Sequence, residues 1–391
     1  MCGAKVEDLP LYKALTPVIV FLKVTCIWID QISIKDLKNG FVTRLADVPR
    51  LVIFTAQLGL VAFSTYRDVL RDTLPLLKQF SITAENMYVL YLVVLTVLVC
   101  FSIAFLLLWF ALGGRLRTFL TSNVDSLHMF RFTGVELRKL YVVQSLLIAG
   151  SLAVPSLIVI GQACTVPSQL STFNFWASSV IYYIWMFLIM VPVVICSAIT
   201  YAITVAAAAL NRSLVAKRKL LRSWASADPK AVQLVFESFC EKHAALCNVV
   251  DGLDELFGAF ASVVFMFCTA NITAVLFTMF RPSTTDGMSR SIHLMWNFIS
   301  ISSMGFPLAS VGWLAAALSA ELHDAQRVIY QETSILRIHN EALRNLTYNY
   351  CLKLGSRIWA INVLGHMPIT KTLLMTVVSF IATYLTLLLQ S

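Results

Sequence analysis

The chain has 391 residues, 58% of them hydrophobic and 13% charged, with a mean hydropathy of +0.78. This composition excludes a soluble globular domain and specifies a polytopic membrane protein. The net charge of +9 is accounted for below by loop lysines and arginines, so it gives no reason to expect nucleic-acid binding.

The first apolar stretch, Leu15 to Ile29, reads as a helix at or near the cytoplasmic interface. Lys23 in its middle costs a membrane span about 2.5–3.5 kcal/mol, and no small-residue cleavage site clearly follows it. A span needs about 17–25 apolar residues. Seven stretches qualify: 49–66, 86–110, 141–163, 175–201, 256–280, 292–319 and 370–390. Pro192 in the fourth, and Gly305 with Pro307 in the sixth, predict kinks.

Basic residues orient these spans. With the N-terminus inside, 23 of the 30 lysines and arginines fall in inner segments and five in outer loops. Arg50 and Lys371 sit at inner span ends. The N-terminus is therefore expected in the cytoplasm and the C-terminus outside. Only Cys164 lies in a predicted outer loop, so no outer disulfide is expected within one chain.

Several helices are expected to outrun the membrane. Asp228-Pro229 is a capping side chain followed by a first-turn proline. From there to Phe280 no further proline occurs, and Gly252 and Gly258 are the only glycines. That helix would be about 75 Å long, against a hydrocarbon core of about 30 Å. The fourth span continues similarly through Ala206–Leu221 and the sixth through Glu321–Leu346. The expected fold is an all-α membrane protein with seven transmembrane helices, whose inward extensions form a cytoplasmic anchor bundle. No internal repeat or low-complexity linker divides it. One domain, 1–391, would comprise a cytoplasmic segment 1–48, six spans over 49–319, an anchor segment 320–369 and a last helix 370–391. Met367-Pro368 is expected to end the last inner helix, with the proline in the first turn of the next.

Cys240, His243 and Cys247 fall near one face of the fifth helix. A structural zinc site needs four ligands, and no nearby fourth is evident, so they read as an amphipathic packing face. No catalytic constellation occurs, and neither a metal nor a cofactor is expected.

The last helix carries a polar seam. Thr372, Thr376, Ser379, Thr383, Thr386 and Gln390 recur at steps of four and three, on one helical face. Such a face suits a helix that lines water or one that hydrogen-bonds to buried neighbours.

The string Thr383-Tyr384, five mostly apolar residues and Gln390, one residue before the end, resembles the C-terminal signature of insect gustatory receptors, where Phe usually follows the Gln and Ser391 stands here. The runs Trp359–Leu374 and Ala245–Gly258 are also similar to that family's segments leading into its last and fifth spans. The resemblance implies a tetrameric ligand-gated cation channel, related to insect odorant receptors, in the plasma membrane of sensory neurons. Its partners would be a small-molecule tastant, further copies or related subunits, lipid and permeant cations. In that family the last helix of each of four subunits surrounds the pore, which carries onto Thr383, Leu387, Gln390 and Ser391. Four Leu387 side chains would make an apolar ring that resists wetting, and four Gln390 amides would replace some ion hydration. With no carboxylate between Lys371 and Ser391, weak cation selectivity is expected. Tyr384, off the seam, is expected to pack against neighbouring helices with its hydroxyl bonded.

The family's ligand pocket lies in the outer half of spans two to six. Here that region offers Tyr88, Tyr91, Gln162, Trp176, Tyr183, Trp185, Phe277, His293, Trp296 and Asn297. Aromatic walls with few polar groups suit organic ligands, and favour a bitter or plant-metabolite ligand over a sugar. Tyrosine and tryptophan also collect at membrane interfaces. A G-protein-coupled receptor is the alternative with seven spans, but it would have its N-terminus outside. A secondary transporter would want ionisable residues at mid-membrane.

Overall fold

The computed structural model describes residues 10–24, 119, 123, 132–165, 173–224, 229–280, 290–331 and 341–390. Predicted spans one and two lie outside the described residues. Two short helices come first, α1 (Pro10–Ala14) and α2 (Thr16–Val24). Four long ones follow: α3 (Gly134–Thr165), α4 (Phe173–Trp224), α5 (Pro229–Phe280) and α6 (Arg290–Gln331). Then come α7 (Glu341–Ser356), a hairpin of β1 (Asn362–Val363) and β2 (Met367–Pro368), and α8 (Lys371–Gln390). Among the described residues, α3 to α6 are each long and apolar enough to cross a membrane.

At the centre stands α4. Every residue from Val191 to Thr200 is buried, as expected of a helix apolar on all sides. It packs on α3, α6 and α5. The first of these, α3, is built the other way round. Its buried face carries Leu140, Gln144, Leu147, Ser151 and Val154, while Val142, Leu146 and Ile160 are exposed. A helix whose outer face is its more apolar one suits lipid rather than water. Its start is a capping box: Glu136 Oε2 accepts from Thr133 N at 2.9 Å, and Thr133 Oγ1 accepts from Glu136 N at 3.4 Å. The second Glu136 oxygen accepts from Arg212 Nη2 of α4 at 2.7 Å.

Helices α4 and α5 each run 52 residues, about 78 Å at 1.5 Å per residue. Both continue well past a hydrocarbon thickness, and α4 passes unbroken through Pro192, as α6 does through Pro307. At the end read as inner from the charges, side chains tie these extensions together. Asn211 Nδ2 donates to Glu321 O at 2.7 Å, joining α4 to α6. His243 Nε2 lies 3.1 Å from Leu322 O, joining α5 to α6. A carbonyl only accepts, so the proton sits on Nε2 and leaves Nδ1 facing the Cys247 thiol at 3.5 Å. Phe236, Phe239 and His243 pack edge-on around the Tyr350 ring of α7, at centroid distances of 5.8–6.4 Å. Cys240, His243 and Cys247 therefore belong to a packed face.

One expectation, the place of Pro368, changes. Of the expected continuation of the sixth helix to Leu346, α6 is described to Gln331, residues 332–340 lie outside the described residues, and α7 is described from Glu341, an acidic residue in its first turn. Pro368 is not in a first turn but in β2, opposite Asn362, where a missing N–H is tolerated at a sheet edge. The N-terminal helices α1 and α2 pack on the bundle. Leu11, Leu15, Val18 and Leu22 are buried against α3 and α4. Gln144 Nε2 donates to Ala14 O at 2.8 Å, Tyr141 Oη donates to Lys13 O at 3.1 Å, and Phe21 meets Phe187 at 5.8 Å.

Candidate pore helix and its joint to the inner bundle

Helix α8 has 20 residues, about 30 Å, which matches the hydrocarbon thickness. Leu373, Leu374 and Val377 pack on the core, and Ile381 and Leu385 continue that face half-buried. At 100° per residue these five centre directly opposite Thr372, Thr376, Ser379, Thr383 and Thr386, all of which are exposed. The polar seam thus faces away from its own subunit. Between the two faces stand exposed apolar flanks, Phe380 and Leu387 on one side and Met375 and Val378 on the other. Leu387 is 59% exposed.

The seam's hydroxyls are oriented. Thr376 Oγ1 donates to Thr372 O at 3.0 Å, and Thr386 Oγ1 donates to Ala382 O at 2.8 Å. These two hydroxyl hydrogens are used on their own helix, so the lone pairs of the two oxygens face outward. A seam of outward acceptors favours cations. Tyr384 is exposed and stacks on Phe380 one turn earlier (6.0 Å, 9°), so within one subunit its ring rests on its own helix. The Gln390 side chain and Ser391 lie outside the described residues.

The base of α8 is held tightly. Thr370 Oγ1 accepts from Leu373 N at 3.3 Å, an N-cap. Ile369 is fully buried, and its N–H donates to Ile361 O at 2.9 Å. The hairpin turns through Leu364 at φ 56° and Gly365 at φ 73°. Leu364 is a left-handed residue with a side chain, a conformation costing about 1–2 kcal/mol. Side chains of α5 grip this turn. Asp254 Oδ1 accepts from Asn362 N at 2.6 Å, and its Oδ2 accepts from Asn362 Nδ2 at 2.5 Å. Ser262 Oγ accepts from Leu364 N at 2.6 Å and donates to Gly258 O at 2.7 Å. One turn earlier, Arg357 forks onto Asp251 at 2.7 and 3.2 Å and lies 5.9 Å from the Trp359 ring. None of these partnerships was visible in the sequence. The only local sign was Gly365 between short apolar runs.

The ligand candidates are placed less fully. Tyr88 and Tyr91 lie outside the described residues, as do the side chains of Gln162, Trp185, Phe277, His293 and Trp296. The backbones of these last five fall towards one end of the bundle, where α3 and α5 finish and α4 and α6 begin. Trp176 is exposed there. Tyr183 is half-buried and stacks on Phe187 (6.4 Å, 6°). Asn297 is 7% exposed, and its Nδ2 has no partner among the described residues. Just inward lies a separate apolar cluster of Val154, Met186 and Met190.

No protein-family model and no curated protein matches the sequence. Among solved structures, the insect olfactory receptor OR5 from Machilis hrabei is similar to 98% of this chain over 99% of its own, with a TM-score of 0.63 at 10% identity. The chain has the fold of an insect olfactory receptor. At this identity the likeness is one of architecture.

Proposed function

We propose that this chain is a chemoreceptor subunit of the insect gustatory type, forming a ligand-gated, weakly selective cation channel. Four copies would each contribute α8 to one central pore lined by Thr383, Leu387, Gln390 and Ser391. The observation that carries this reading is the seam lying opposite the face by which α8 packs on its own subunit. A helix so divided is unsuited to facing lipid and suited to facing water among its equals. The likeness in fold to an olfactory receptor and the Thr383-Tyr384…Gln390 string support the same reading. Leu387 would form the apolar constriction. With Ser391 in place of a larger residue, that constriction would stand without a second apolar ring beside it.

The ligand would enter between α3, α4, α5 and α6 at the end holding Asn297. A buried amide whose donor has no partner among the described residues suits an organic molecule carrying a hydrogen-bond acceptor. A bitter or plant-derived compound fits this chemistry better than a sugar, which would want several fixed polar groups.

The test is whole-cell current from cells expressing this chain alone, screened against bitter plant compounds and sugars with G-protein signalling blocked. A ligand-evoked cation current whose permeability ratios change in Gln390→Ala is expected. A current abolished by the blockade would refute the channel. A second reading, an odorant-receptor-type subunit that needs a different partner chain, draws on the olfactory likeness. It predicts current only on co-expression.

A further inference from the structure

Asp254, Gly258 and Ser262 are spaced four residues apart and share one face of α5. The face meets the outer edge of β1. The amides of Asn362 and Leu364, two residues apart on that edge, point the same way, and β2 takes neither of them. Asp254 and Ser262 accept both. Gly258 makes the approach possible, because a Cβ there would stand 2.9 Å from Asp254 Oδ1 and 3.3 Å from Asn362 O. From the hairpin to α8 the chain has no slack. Ile369 is buried and bonded back to Ile361, and Thr370 is already the N-cap of α8. On the far side, the first turn of α8 is wedged against α6, where a Cβ on Gly312 would lie 2.8 Å from Leu374 Cδ2.

We infer that Asp254 is a positioning residue for gating: with Ser262 it grips the β1–β2 hairpin, so that a displacement of α5 passes through Ile369 and Thr370 to the base of α8. The functional half of this inference rests on the channel reading above. The structural half does not. The contact is specific in chemistry. One carboxylate oxygen takes a backbone N–H, and the other takes the amide of the same residue. Asp254→Asn keeps an acceptor for the backbone N–H but sets an amide donor against the Asn362 donor. Exchanging the two residues, Asp254→Asn with Asn362→Asp, restores donor to acceptor across the contact and gives up the 3.2 Å bond from Asn362 Nδ2 to Ala360 O.

The experiment is hydrogen exchange on the purified full-length chain, alongside dose–response currents for the same variants. In Asp254→Ala, the amides of residues 361–369 and of the first turn of α8 should exchange about tenfold to a hundredfold faster, the worth of hydrogen bonds to a charged group. The Asp254→Asn/Asn362→Asp exchange should recover protection. Gln233→Ala, which breaks an exposed α5 contact to Glu237, should change neither region. The half-activating ligand concentration should shift at least about threefold in Asp254→Asn, the effect of roughly 0.6 kcal/mol of coupling, and return in the exchanged pair. A hairpin that loosens while α8 and the dose–response curve stay as in wild type would overturn the inference. So would a failure of the exchanged pair to rescue. If the wild-type chain carries no current under any condition, the channel reading falls, and the exchange data alone still decide whether Asp254 ties α5 to α8.

Discussion

Tyr350→Phe should stabilise the protein. The Tyr350 side chain is 9% exposed, and its hydroxyl has no hydrogen-bond partner among the described residues. Its ring does the packing, edge-on against Phe236 (83°), Phe239 (74°) and His243 (85°). Phenylalanine keeps all three contacts and removes only the oxygen. A buried hydroxyl without a partner costs about 1–3 kcal/mol. The void left behind is about 15 Å³ at most, which at about 24 cal/mol per Å³ costs about 0.4 kcal/mol. The net gain is then about 0.5–2.5 kcal/mol. Burial also pushes the Tyr350 hydroxyl far above its ordinary pKa, so it stays neutral and the gain should not vary between pH 6 and 9. The assay is thermal unfolding of the purified chain in one detergent at one scan rate, because membrane proteins commonly unfold irreversibly. Tyr348→Phe, on the same helix but 61% exposed, is the control and should leave the midpoint unchanged. A fall in the midpoint for Tyr350→Phe would refute the reasoning, since it would mean that the hydroxyl is satisfied.

Other substitutions test other contacts. Gly150→Ala places a methyl group inside the Phe306 ring of α6 and should cost about 1–3 kcal/mol; Phe306→Leu in the same chain should recover most of it, measured as a double-mutant cycle in thermal unfolding. Asn297→Leu removes a buried unpartnered donor and should raise the unfolding midpoint while lowering ligand sensitivity in current recordings; a loss of both would make Asn297 a structural residue. Leu387→Ser should raise the ligand-free leak current by making the narrowest ring easier to wet, and an unchanged leak would move the constriction elsewhere.

The long helices were legible because their punctuation is simple. Pro229 opens α5, and nothing breaks it before Phe280. The α8 seam was legible because six polar residues in an apolar stretch can share only one face. Which face of α3 turns inward was not legible, because Gln144 and Ser151 lie on the buried side among equally apolar flanks. Likewise, strands of two residues, as in the hairpin, carry no periodicity to detect. Its grip on α5 joins Asp254 to Asn362 across 108 residues, and its left-handed turn begins at a leucine rather than at a residue that advertises positive φ. Read from sequence, Pro368 looked like a helix start; the hairpin uses it as an edge residue, and Thr370 caps the helix instead. Among the ligand candidates, rings at span ends look alike in sequence. In the structure, Tyr183 stacks on a neighbour, and Asn297 is buried with a donor that has no partner among the described residues.

The perimeter of α8 divides into four sectors, and the division bears on how many copies complete it. The back packs on α5 and α6 of its own chain. The front is a row of hydroxyl side chains, of which Thr376 and Thr386 turn their hydrogens inward. The two sides are exposed and apolar, with Phe380 and Leu387 on one and Met375 and Val378 on the other. In lipid the front would be the most apolar sector, because hydrocarbon rewards no acceptor. For a helix buried among unrelated neighbours, nothing would require the polar sector to stand diametrically opposite the packed one. In a closed ring of identical chains every sector has an occupant: the back its own bundle, each side the next copy's opposite side, and the front the axis. Symmetry then repeats each front residue around that axis at one height. That turns a front position such as Thr383, and Leu387 where the side borders the front, into rings, and it lets a shift at the base of one helix change the bore at all of them.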